Sequence, residues 1–546
     1  KNEFNNFIYY QYNFDNKNLG QNIEENIIKL DIYNLILCIK KKGEISPLQC
    51  KNEKIEVVKK SSEPNLGKVE INVTGTEEAK PYFHEGLLLL HSFEFNDAGE
   101  KFAKAIELDS NFVMAAWGEA MSYNHPLWRE RYHEEGIAAL KKLANTPQER
   151  LAKASTEFEK DMLSAVEILY AEGEKKEQDV AYKDHMEKLY KKYKGDHEVA
   201  AFYALSLLGS VKGGRNTETY EKGARIAQSI IDENPNHPGA LHYLIHSYDD
   251  PDHAKLALSA ANSYAKVAPD AEHALHMPSH IYVAMGMWDE VISSNIASYE
   301  ASVARMNDKN LDNDARGYHA FKWLMYGYLQ KGNFEKAKKM VNDMKKYCDE
   351  KPSSKARSHF IMMQGAYLTE SGDWEDSIAM KVVDLKELGL PTKAVQSFTK
   401  GMVAYYQKDK TGVTNAIKEI SKLRIDGESR MVVGKPKTCN GVSRYKQPPT
   451  KNGVNTAKVM EMELNAVLAI LNKDSSAAEK WLKKATALES ETSFSYGPPD
   501  IVKPSHEFYG EWLLENNKID EAKKQFENQL ERSPKRLLAE KGLKKS

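Results

Sequence analysis

The chain has 546 residues, of which 41% are hydrophobic and 29% charged, enough to bury a core and too apolar for global disorder. Lysine plus arginine (77) and aspartate plus glutamate (79) nearly cancel to a net charge of -2, which argues against a nucleic-acid binder. Four scattered cysteines (Cys38, Cys50, Cys348, Cys439) exclude a disulfide framework and a thiolate zinc site. No apolar run approaches the roughly 18 residues of a membrane-spanning helix.

The N-terminal stretch, residues 1–77, is expected to be an extension outside the main fold. Nine of its first 34 residues are asparagine, and no period of 2 or 3.6 persists there. Its apolar piece, Ile32 to Ile39, precedes three lysines, the reverse of the charge order in a secretory signal. No clear signal peptide is predicted, and the compartment is left open.

From about residue 78 the pattern is helical, with apolar residues three and four apart and clear stops. Pro235 and Pro269 close helices in the phrases Glu233-Asn234-Pro235-Asn236 and Val267-Ala268-Pro269-Asp270, and lie 34 residues apart. That spacing is the period of the tetratricopeptide repeat (TPR), two antiparallel helices and a proline turn. Gly86, Ala98, Phe102 and Ala105 take the small and aromatic positions of one repeat, and Gly510, Ala522, Phe526 and Pro534 restate them. Gly286-Met287-Trp288, Gly332-Asn333-Phe334 and Gly372-Asp373-Trp374 are predicted turns between paired helices. The fold class is therefore all-α, a TPR-like α-solenoid with a right-handed superhelix. Repeats are predicted over 78–425 and 456–546. A Gly/Pro/Lys-rich loop is predicted over 426–455 and a polar insertion over 306–316. The lysine-rich tail, Lys535 to Lys545, is expected to be a solvated last helix.

The 16 histidines are the chemical lead. Counting the closing proline as position 32, His242 and His246 fall at positions 5 and 9 of one first helix. His276 and His280 fall at the same positions of the next, and His273 at position 2. Aligning Gly332 with Gly286 puts His319 at position 2 of the third. In such arrays these positions line the concave groove. Two i, i+4 pairs at one height on helices about 8–10 Å apart could reach a shared ion. The expected ligands are His242, His246, His276 and His280, with His273 and His319 as further or supporting ligands. Neutral imidazole suits zinc, copper, iron or nickel. Pro278, between His276 and His280, threatens that alignment. Asp249, Asp250 and Asp252 are read as capping residues instead, and His84, His91, His125 and His506 as structural.

Several phrases carry a family resemblance. They are Met114-Ala115-Ala116-Trp117-Gly118-Glu119-Ala120-Met121 with Asn124-His125-Pro126-Leu127-Trp128, His237-Pro238-Gly239-Ala240-Leu241-His242-Tyr243-Leu244-Ile245-His246, His276-Met277-Pro278-Ser279-His280 and Lys503-Pro504-Ser505-His506-Glu507. In these the chain resembles a bacterial family of TPR proteins of largely unassigned function, distantly similar to an animal TPR protein. The resemblance covers roughly residues 78 to 546 and implies the fold, with little chemistry.

Phosphate loops of the Gly-x-Gly-x-x-Gly and Walker types are missing, as is a Gly-x-Ser-x-Gly elbow, so nucleotide and serine-hydrolase chemistry are not indicated. Three functions compete. A transition metal in the histidine-lined groove, acting on a small molecule, is preferred, which leaves enzyme activity undecided. A groove binding a peptide or protein without metal is the alternative, and self-assembly into a homo-oligomer is the third.

Overall fold

Ala- and Leu-rich segments with three-four spacing become packed helix pairs joined by short turns, which forces each pair antiparallel. The computed structural model describes residues 64–211, 215–433, 449–494 and 497–546. Residues 65–546 make one unit, and it is an all-α, TPR-like solenoid. Representative pairs are Lys80–His91 with Phe95–Leu108, Pro238–Ser247 with Leu258–Val267, and Tyr318–Gln330 with Phe334–Glu350. Pro238 and Glu272, which open successive first helices, stand 34 residues apart. Among the described residues the strand structure is one short ladder, Asn124–His125 with Glu130–Arg131. No helix there is long and apolar enough to cross a membrane.

The repeat positions do the packing expected of them. Phe102 wedges between two first helices: a Cβ added to Gly118 would lie 2.4 Å from its ring, and one on Gly86 3.0 Å away. Phe526 does the same between Gly510 (2.8 Å) and Gly542 (2.3 Å). Each aromatic thus joins its own repeat to the next, as stacking of helix pairs requires. The predicted turns at Gly286 and Gly332 carry positive φ, +64° and +71°, which glycine adopts without strain.

Four boundaries differ from the sequence expectation. Residues 65–77, assigned to the extension, form an extended strap on the solenoid: Leu66 is buried, Lys68 N donates to Asn236 O (2.9 Å), and Thr74 Oγ1 donates to Glu159 Oε1 (2.6 Å). Residues 1–63 lie outside the described part. The loop expected at 426–455 is helical at its two ends, where helix Lys410–Val433 continues through Gly427 and helix Lys451–Leu471 starts at a Thr450 cap, while residues 434–448 lie outside the described part. The helical glycine costs about 1 kcal/mol. It is held there by Arg424, which pairs with Glu461 (2.6 Å) and Glu428 (3.0 Å). Helix Trp288–Asp308 runs into the expected insertion, which keeps only a short 3-10 turn at Asn313–Ala315.

The fourth difference is at Gly372, which does end a helix, but no second α-helix follows. Residues 373–389 hold a 3-10 turn, Ser377–Met380, and irregular chain. Their carbonyls are served from the preceding helix. Gln364 Nε2 donates to Ile378 O and Lys381 O (2.7 Å each), and Arg357 Nη1 donates to Lys386 O (2.9 Å). These side-chain bonds and a few short-range backbone bonds pair part of the segment's backbone without a helix.

Candidate metal centre

Three successive first helices supply the six predicted histidines. Pro238 opens the first at a position where its missing N–H costs nothing, and His237 caps it by accepting from Ala240 N (3.2 Å). The second is broken into Glu272–His276 and Pro278–Ala284. The break does not separate His276 from His280, because Met277 between them keeps right-handed helical angles (φ -54°, ψ -36°). The third is Tyr318–Gln330, carrying His319 near its start.

The six fall into two sets of three, His242 with His246 and His273, and His276 with His280 and His319. Within each set one ring nitrogen of every member lies within 4.8 Å of the others. The grouping differs from the one shared ion expected between two i, i+4 pairs. Each pair instead recruits the position-2 histidine of the following first helix.

In the first set, His242 is wholly buried and its Nδ1 meets the carbonyl of His91 at 2.7 Å. A carbonyl only accepts, so Nδ1 carries the hydrogen and the neutral ring keeps its lone pair on Nε2. The Nε2 atoms of His242, His246 and His273 are all buried without a partner. Burial first, and neighbouring imidazoles second, hold the pKa of each well below the ordinary histidine value. The three rings are kept neutral, with lone pairs available.

The second set is more constrained. Asn295 Nδ2 donates to Val291 O (2.8 Å), which turns its Oδ1 toward His276 Nδ1 at 2.7 Å. His280 Nδ1 is bound to Asp249 Oδ2. Both Nδ1 atoms therefore hold hydrogens, and the two Nε2 atoms face each other at 3.2 Å, where two neutral rings would meet lone pair to lone pair. A proton would relieve that contact, but burial and the neighbouring His280 push His276 down to about 3. A metal ion held between the two nitrogens could relieve it as well. Two imidazoles on a tetrahedral ion with bonds near 2.0–2.1 Å have nitrogens about 3.3 Å apart. The Trp323 ring backs both, at 4.9 and 4.5 Å between centroids, while His319 is exposed.

The centre is not an open groove. The first repeat folds back over it: Phe93 lies 4.3 Å from the ring of His242 and 5.7 Å from that of His273, and Glu94 Oε1 accepts from His273 N (2.8 Å). Arg305 Nε to Asp97 Oδ2 (2.8 Å) ties the same turn down from the other side.

A third cluster, His91, Glu198 and His237, is fully buried. His91 Nε2 and His237 Nε2 reach the two Glu198 oxygens at 2.8 and 3.1 Å. His91 Nδ1 meets Tyr243 Oη at 2.9 Å, and His237 Nδ1 is the helix cap. Burial alone would raise Glu198, but attraction from His91 and from the adjacent His237 holds it well below the usual carboxylate range. His91 uses both ring nitrogens and His237 Nε2 stands against the Glu198 carboxylate without making a hydrogen bond, so the cluster is a buried His–Glu–His charge contact. His125, bonded to Ser122 O (3.2 Å), and His506, between Ser490 Oγ (2.9 Å) and Gln525 Oε1 (2.7 Å), are likewise engaged.

The sequence reading set Asp249 aside as part of a cap. Asp250 does cap, accepting from Asp252 N and His253 N (3.0 Å each), but Asp249 orients His280. Its place three residues after His246 was the available signal. Asn295, about two turns into a second helix, had none.

No protein-family model matches the chain, and no curated protein matches it. Solved structures similar to it include Cut9 in the APC/C Cut9–Hcn1 hetero-tetramer, at 12% identity and TM-score 0.36 over 87% of this chain and 77% of that one. Human IFIT1, in a dimer with PPP-AAAA, gives 13% identity and TM-score 0.34 over 86% and 85%. Yeast Tom70 gives 12% and 0.31 over 86% and 88%. At TM-scores this low the superpositions decide nothing about the site, and the fold rests on the 34-residue helix order.

Proposed function

We propose that this solenoid is a metal-binding protein that holds a transition metal through histidine nitrogens and offers it to a small molecule. The observation that carries the proposal is the 3.2 Å contact between His276 Nε2 and His280 Nε2, with each Nδ1 already committed to an acceptor. Both donor sets consist of imidazole only, which favours zinc, copper, iron or nickel over magnesium or calcium. Three protein nitrogens leave a tetrahedral ion one position for water or substrate, the arrangement of catalytic rather than structural sites. The exposed edge of His319 is the side from which such a ligand would arrive.

A peptide laid along positions 2, 5 and 9 fits less well, because Phe93 and the His91 carbonyl already cover His242. Elemental analysis of protein purified without a histidine tag tests the proposal. Stoichiometric zinc, copper, iron or nickel is expected, reduced in the His246→Ala and His280→Ala variants. A parent protein that carries no such metal and takes none up on titration would remove it and return the peptide reading.

A further inference from the structure

Resting on that reading, we propose that the centre is dinuclear, with two transition-metal ions side by side that share one anionic oxygen ligand taken from solution. The ring nitrogens that approach one another within 4.8 Å form two groups of three rather than one group of six, so the chain presents two separate three-nitrogen sets. Each set is prepared independently. The His91 carbonyl fixes His242 in the first, and Asn295 and Asp249 fix His276 and His280 in the second. Hydrogen bonds to the far ring nitrogen are how proteins orient histidine ligands.

The two sets adjoin rather than stand apart. The ring centroids of His246 and His280 are 5.6 Å apart, and those of His273 and His276 6.0 Å apart. The wall around them is aromatic, with Phe93 and Trp128 on the first set and Trp323 on the second.

Charge then dictates the missing ligand. All six donors are neutral, so two divalent ions add four positive charges to a largely buried site. Asp249 is the carboxylate bonded to a ligand ring, and it answers only one of them. Uncompensated buried charge is costly, and a hydroxide or small oxyanion bound between the ions offsets it. If the ligand enters as water, the O–H bond breaks heterolytically, the hydroxide stays on the ions and the proton leaves to solvent. Adjacent ions clamping one oxygen are a general device for activating a nucleophile or polarising a small oxygen-bearing substrate.

The test uses the full chain, stripped with a chelator and reloaded with Cu(II) as the only metal. Bound copper is counted by elemental analysis, and its spins by integrated electron paramagnetic resonance. Two coppers per chain with markedly fewer than two spins are expected, because a shared oxygen couples them. His246→Ala and His319→Ala alter rings that are not fully buried, and each is expected to bind one copper with a full, isolated one-spin signal. Circular dichroism confirms their folding, and if either fails to fold, the parent stoichiometry and spin count still decide. One copper per chain in the parent overturns the dinuclear proposal and leaves the single-ion reading standing. Two coppers with two independent spins overturn the shared ligand, and no copper overturns the dinuclear proposal, while elemental analysis for zinc, iron and nickel decides the metal-binding reading separately.

Discussion

The carbonyl of His91 accepts a hydrogen bond from His242 Nδ1 at 2.7 Å across 151 residues of sequence. The first repeat thereby sets the tautomer of a ring in the fifth. Histidine orientation in this protein is a tertiary property, and several consequences can be measured.

Replacing Asp249 by Asn should reverse the polarity of its bond to His280. The new amide can donate to Nδ1, which moves the ring hydrogen to Nε2, where it satisfies the lone pair of His276. The metal-free protein should keep its melting temperature or gain slightly. Metal affinity should fall by about 10–100-fold, the usual effect of removing a partner that orients a ligand. Competition against a chromophoric chelator reads the affinity, and an unchanged value would show that Asp249 does not set the tautomer.

Phe93→Ala should loosen the lid over the first set. The ring is 6% exposed and packs on His242, His246 and His273. Emptying such a position costs about 3–5 kcal/mol when the surroundings cannot collapse. Denaturant unfolding of the metal-free variant should show that loss, and a change below about 1 kcal/mol would mean the first repeat closes the site without Phe93.

The helix pairing and the height of the histidines could be read from the chain, because both follow from local periods: three-four spacing, a 34-residue repeat, and glycines where a phenylalanine must enter. What covers the site could not. Phe93 and Glu94 reach His242 and His273 only because the solenoid brings its first repeat back onto its fifth, a contact with no local pattern. Asn295 is invisible for a similar reason: nothing in its own helix distinguishes it from a capping or solvated amide. The second helix predicted after Gly372 fails because Gln364 and Arg357, one helix earlier, take over some of the hydrogen bonds a helix would have made.

Arg536, in the tail expected to be solvated, is completely buried. Its guanidinium meets Glu370 at 2.6 Å, Glu507 at 2.7 Å and Tyr326 Oη at 2.6 Å, joining the last helix to three earlier helices. Arg536→Met would leave the buried Glu370 without its cation and Glu507 with Lys503 alone, and should cost about 3–5 kcal/mol. Adding Glu507→Gln to that variant should recover part of the loss. A double variant as unstable as the single one would assign the cost to packing rather than charge.

Glu463 gives a pH signature. It is wholly buried with neither carboxylate oxygen partnered, and burial first, then the charge of Glu489, raises it well above its ordinary value. The folded chain thus keeps a proton that the unfolded chain releases near pH 4.5. Stability should fall as pH rises above that value, up to the folded pKa. Glu463→Gln removes this dependence, so its melting temperature should exceed that of the parent at pH 8 and match it near pH 4. Parallel curves for the two proteins would show that the carboxyl is ionised when folded.

The covering of the histidines by residues 91–97 bears on how the chain matures. The His91 carbonyl and His319 come from repeats separated by more than two hundred residues, so neither donor set is framed by its own helices alone. An ion that binds only the completed arrangement acts as a clasp on the chain between them, and its stabilisation grows with the logarithm of free metal. Resistance of the middle repeats to limited proteolysis would then follow metal supply, making the solenoid a record of whether the ion arrived.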